Sequence, residues 1–76
     1  MTEELKKLIQ LVDDFAIAMK ARLIEKMNQD WHGWDGHCIR DETLHSSLLV
    51  NYFEQHYIDV ANFAAFLWHR SGREGR

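Results

Sequence analysis

The sequence predicts an all-α fold: a helical hairpin of two long helices, with two such hairpins pairing into a four-helix bundle. Three observations predict it. The 76-residue chain has no proline and four glycines, at Gly33, Gly36, Gly72 and Gly75, so it is punctuated once in the middle and once near its end. On either side of the first break, apolar residues recur every three or four positions, the period of one helix face. Hydrophobic residues make up 46% of the chain, more than a single copy of this length can hide, which points to a homodimer or higher helical oligomer.

The first helix is expected over residues 2–29. Thr2 is placed to cap it, and Glu3 and Glu4 complement the dipole in its first turn. Leu5, Ile9, Val12, Ala16, Met19, Leu23 and Met27 form the stripe, widened by Leu8 and Phe15. Leu11, Ile17 and Ile24 lie off it and hint at a second contact surface. Residues 30–41 read as a loop, because two glycines and three aspartates oppose helix there. Asp41 or Thr43 then caps a second helix over residues 42–69, with Glu42 in its first turn. Leu49, Phe53, Tyr57, Val60, Ala64 and Leu67 keep a helical register throughout, which favours one continuous or kinked helix of roughly 40–45 Å. A break near Gln55-His56 is the alternative, since Asn51, Gln55, His56 and Asp59 weaken the propensity there. Residues 71–76 form a flexible tail, and the whole of 1–76 is a single domain.

Composition narrows the function classes. The net charge is −3, and the loosely spaced Arg70, Arg73 and Arg76 fit the C-terminal end of a helix dipole. Attraction to nucleic acid or to an anionic membrane is therefore not favoured. The charged N-terminal segment resembles neither a signal peptide nor a membrane span, so a cytoplasmic protein is the default. Cys38 is the single cysteine, which leaves no internal disulfide and nothing to argue for an oxidising compartment.

The most chemically suggestive segment is Ile58–Trp68, where Asp59 and Asn62 stand three apart at the head of an apolar run. They share one helix face. A carboxylate in that setting needs a donor, a cation or water. His56, three residues earlier, is the expected neighbour, either as a hydrogen-bonded pair that fixes register or as part of a cation site completed by another helix. His32, His37, Cys38, Asp35 and His45 are zinc-ligand types, but their spacing matches no common zinc pattern. Trp31 and Trp34 are expected to fold over the end of the bundle, with an aromatic wall for a base or sugar as the functional rival. No phosphate-cradling glycine loop, Gly-x-Ser-x-Gly elbow or Cys-x-x-Cys is present, so nucleophilic catalysis has no support.

Three pieces of the chain carry a family resemblance: Phe15-x-x-x-Met19-x-x-x-Leu23 ahead of Asn28, the turn His32-Gly33-Trp34, and the helix Asp59-Val60-Ala61-Asn62-Phe63-Ala64. Together they resemble the MazG-like group of all-α nucleoside triphosphate pyrophosphohydrolases, especially its short phage and mobile-element versions. The resemblance implies a helical dimer with a nucleotide between helices. It also implies magnesium held by a Glu-Glu-x-x-Glu helix and a following Glu-x-x-Asp, where the metal helps water attack phosphorus. Asp59 matches that last aspartate. The glutamate position holds His56, and no acid occurs between Leu44 and Phe53. The expected function is thus a shortened MazG-like dimerisation or nucleotide-binding domain without catalysis, and no cofactor. The alternative is a Mg-dependent pyrophosphohydrolase completed across the dimer, with Asp59, Glu54 and Glu42 on the metal and Asn62, Trp34 and His56 on the nucleotide. An unrelated small helical adaptor is the third possibility.

Overall fold

The computed structural model describes residues 2–31, 33–35 and 39–72. Among these residues there are three helices and no strand: α1 (Glu3–Asn28), α2 (Asp41–Phe53) and α3 (Tyr57–Arg70). No helix is long and apolar enough to cross a membrane among the described residues. α1 matches the expected first helix to within a residue at each end. The Thr2 hydroxyl accepts from the Leu5 amide at 3.1 Å, so one orphan donor of the first turn is satisfied as the cap residue suggested. Asp30 in the left-handed region (φ 60°) ends the helix.

The expected second helix is two helices. α2 stops at Phe53, Gln55 takes φ 63°, and α3 starts at Tyr57. Amides of Gln55 and His56 donate back to Tyr52 O and Asn51 O at 3.0 and 2.9 Å, which closes the turn. The chain then reverses, and the Arg70 guanidinium near the end of α3 reaches Asp41 at the start of α2 at 2.8 Å. The hairpin therefore lies between α2 and α3, not between α1 and one long partner. Burial is the reason. In a continuous helix Leu44 would sit about 30 Å from Phe63 and Phe66. Folded back, Leu44 is 1% exposed against those two rings, which are 5% exposed. Burying side chains of this size contributes roughly 1.5–3 kcal/mol each. That outweighs about 1–2 kcal/mol for one left-handed non-glycine residue.

The reversal also changes which face is apolar. The stripe Leu49–Phe53–Tyr57 expected to be inside is exposed. Leu44 and Leu48 of α2 and Phe63, Phe66 and Leu67 of α3 are the residues that pack. The apolar residues of α2 are spread over more than one face, Leu44 and Leu48 on one side and Leu49 and Phe53 on another, so its sequence alone does not choose a face.

α3 is the central element. It packs on α2 and on the C-terminal half of α1. The loop closes one end: Trp31 stacks on Phe66 at 5.4 Å between ring centroids, and Trp34 lies 5.3 Å from the same ring. The tryptophans thus fold over the helices as expected. Arg70 secures this loop by donating to the Trp34 carbonyl at 2.8 Å. Asp41 is the first residue of α2 and Arg40 is its cap, with no side-chain capping bond. Gly72 (φ 87°) terminates α3, its amide donating to His69 O at 3.2 Å. The expected tail beyond residue 72 lies outside the described residues, as do His32, Gly36, His37 and Cys38.

α1 is about 39 Å long and α3 about 21 Å, so α3 covers little more than half of α1. Every residue from 3 to 14 is exposed. The Cα radius of gyration, 14.0 Å, exceeds the about 11 Å of a compact chain of this length.

Candidate functional site

Because α1 and α2 both lean on α3 without packing on each other, a cleft of about 740 Å³ opens between them. Arg22 and Lys26 of α1 form one wall. Thr43, Ser46, Ser47 and Asn51 of α2 form the other. Asp59 and Phe63 of α3 make the floor, and Glu54 and His56 come from the turn.

Asp59 stands in the first turn of α3, where an acid favours the helix dipole. Its Oδ1 accepts from Arg22 Nε at 2.9 Å, and its side chain is 13% exposed against 34% for Arg22. Arg22 Nη1 also reaches Glu25 Oε2 at 2.7 Å. The bond to Asp59, then the bond to Glu25, raises the Arg22 pKa above its ordinary value. The guanidinium therefore stays charged wherever the protein is folded, and the stability contributed by its raised pKa is present below the ordinary arginine value and is lost as pH rises through the folded value, in extreme alkali.

The expected neighbour of Asp59 was His56, and the structure corrects that. His56 precedes α3 with its ring exposed, and its Nδ1 faces Asn51 Oδ1 at 3.3 Å and Glu54 Oε2 at 3.5 Å. The cation comes from 37 residues away on α1. The available signal was that Arg22 flanks the apolar stripe of α1 beside Phe15 and Met19, as Asp59 flanks that of α3.

The other expected site residues divide. Glu54, Asp59 and Glu42 border the same cleft, and so does His56. Asn62 does not: it is 1% exposed between α3 and α1, and its Nδ2 donates to Met19 O at 3.2 Å. Its Oδ1 meets no donor among the described residues. Trp34 lies in the aromatic cluster and lines a separate apolar cavity of about 310 Å³ with Trp31 and Met27. His45 is exposed on α2 beside Leu48, and its proposed zinc companions His32, His37 and Cys38 fall outside the described residues.

The donor set of the cleft does not fit a magnesium ion. Asp59 is engaged by Arg22, and a second cation, Lys26, lines the same space. No group of three or more His, Cys, Asp or Glu side chains is arranged for a metal among the described residues. Beside the carboxylates of Glu42, Glu54 and Asp59, the lining holds Lys26 and Arg22 facing hydroxyls and an amide, groups that can hydrogen-bond the oxygens of an anionic ligand. Sequence reasoning missed Arg22, Lys26 and the hydroxyl row, since their convergence depends on the hairpin.

Arg22→Met tests the floor of this cleft. It leaves a mostly covered carboxylate without its cation, so a loss of about 1–2 kcal/mol is expected, less than for a fully buried pair because Arg22 is part-exposed. Adding Asp59→Asn to Arg22→Met should recover part of it. Urea unfolding of the single and double variants measures both, and an unchanged midpoint for Arg22→Met would refute the pairing.

No family model matches this chain, and no significant match to a curated protein or to a solved structure is found.

Proposed function

We propose that this chain is a shortened MazG-like helical module that self-associates and binds a nucleotide without hydrolysing it. The observation that carries the proposal is the Arg22–Asp59 ion pair. The aspartate that matches the family's Glu-x-x-Asp is held by a guanidinium, and the matching glutamate is His56. A residue that would ligate metal in the family thus acts here as a tie between α1 and α3. Lys26 is the cation offered to phosphate oxygens, opposite Ser46 and Ser47, while Arg22 is shared between Asp59 and Glu25. The exposed length of α1 supports self-association.

The rival is the Mg-dependent pyrophosphohydrolase completed across a dimer. It draws support from the turn at Gln55, which brings Glu54 to the same cleft as Asp59 and Glu42. One experiment separates the two. The protein is titrated with a panel of nucleoside and deoxynucleoside triphosphates, with and without Mg²⁺, following pyrophosphate release and thermal midpoint together. The expected result is no metal-dependent release, with a midpoint that rises with one or more nucleotides by mass action. Release abolished by a chelator and by Asp59→Asn would overturn the non-catalytic proposal. Neither release nor stabilisation would leave the adaptor.

A further inference from the structure

The N-terminal half of α1 is an amphipathic arm without cover. Leu5, Leu8, Ile9 and Val12 are 45–65% exposed, yet they continue the stripe that, from Phe15 to Leu23, is packed or half-buried. A stripe kept in register beyond the reach of α3 has a use only if something else lies on it. We infer that the occupant is the same arm of a second copy, running antiparallel about a two-fold axis between residues 10 and 11. This rests on the self-association in the proposed function and not on nucleotide binding.

Three features favour that occupant and that direction. The first is the seam. Leu5, Ile9, Val12 and Ala16 alternate in steps of four, three and four, the spacing of a coiled-coil core. In the antiparallel register Ile9 meets Val12 of the second copy, and Leu5 meets its Ala16.

The second is charge. Lys6 and Asp13 lie on one flank of this seam, seven residues apart, which is two turns. Among the described residues Lys6 pairs with Glu3 of its own helix alone, at 3.5 Å, with both side chains more than half exposed. Antiparallel pairing sets Lys6 of each copy near Asp13 of the other. Parallel pairing would instead set these positions opposite the other flank of the seam, where Asp13 would meet Leu8 of the second copy and the charges would find no partner.

The third is area. Phe15 borders the α2–α3 turn together with Gln55 and Tyr57. The tip of the second arm, near Leu5, therefore arrives at that turn, where Phe53 is 78% and Tyr57 56% exposed. The arm and these rings together offer on the order of 700 Å² of apolar surface per copy, close to the roughly 800 Å² per partner of a standard stable interface.

The test is the dimer dissociation constant by sedimentation velocity, with helicity by circular dichroism to confirm folding. Wild type should be a dimer at micromolar concentration. Val12→Glu puts a charge from each copy into the seam and should weaken the dimer by at least roughly 100-fold. Lys6→Glu and Asp13→Lys should each weaken it by roughly five-fold at low salt, and the double variant should return to within about two-fold of wild type. A wild-type monomer at all concentrations, or a dimer indifferent to Val12→Glu, would overturn the interface. Failure of the double variant to restore affinity would overturn the antiparallel register. None of these residues borders the cleft, so nucleotide binding by the variants reports separately on the proposed function.

Discussion

Phe66→Ala is expected to lower the unfolding free energy by about 3–5 kcal/mol. Phe66 is 5% exposed and meets three other rings: Trp31 face to face, Trp34 tilted, and Phe63 edge-on at 5.8 Å. Removing it leaves a void that two loop tryptophans and a helix would have to collapse into from different directions. A domain of this size has about 4–11 kcal/mol in total, so the loss approaches the whole of it in the unfavourable case. The thermal midpoint should fall by about 12 °C or more. Tryptophan fluorescence follows the change directly, since Trp31 and Trp34 lose their stacking partner. Protein concentration must be held constant, because the proposed self-association would add to the apparent stability. A shift of less than about 1 kcal/mol would mean that the aromatic cluster does not hold the fold together.

Leu44→Ala is expected to cost about 3–4 kcal/mol, and its consequence reaches the cleft. Leu44 is the buried residue of α2, and with Leu48 it fastens that helix to Phe63 and Phe66. Truncating it loosens the wall that carries Thr43, Ser46, Ser47 and Asn51. The nucleotide stabilisation expected under the proposed function should therefore weaken in this variant even at temperatures where α1 and α3 remain helical. Leu49→Ala is the control: it lies on the exposed side of α2 and should change stability by less than about 0.5 kcal/mol. If the two substitutions had equal effects, α2 would not be seated as described, and a continuous helix with Leu49 inward would regain its standing.

The contrast between Leu44 and Leu49 shows where the sequence was legible. α1 was readable end to end, because Thr2, the acidic first turn and a single apolar stripe all agree. The tryptophan loop was readable too, since rings flanked by glycine have few places to go but over a helix end. The α2–α3 reversal was visible only as a weak alternative. Gln55 adopts a left-handed conformation without the glycine or asparagine that usually announces one. The spacing from Leu49 to Leu67 suited a continuous helix equally well. Asp59 was singled out correctly as a charge at an apolar edge, yet its partner is decided by how α1 crosses α3, a tertiary fact. The Arg22 pairing and the hydroxyl wall followed from the same packing and were hidden for the same reason.

Arg70 joins parts of the chain that no other described side chain connects in this way. It donates to the Gly33 and Trp34 carbonyls and to the Asp41 carboxylate, from the last residue of α3. The loop and the first turn of α2 are thus anchored to a residue translated about 30 positions after them. During synthesis they have nothing to anchor to until α3 has emerged. Fraying of the last turn of α3 should release them together, so the amides of Trp31 and Leu44, which donate to Lys26 O and Arg40 O, are expected to exchange with solvent at matched rates.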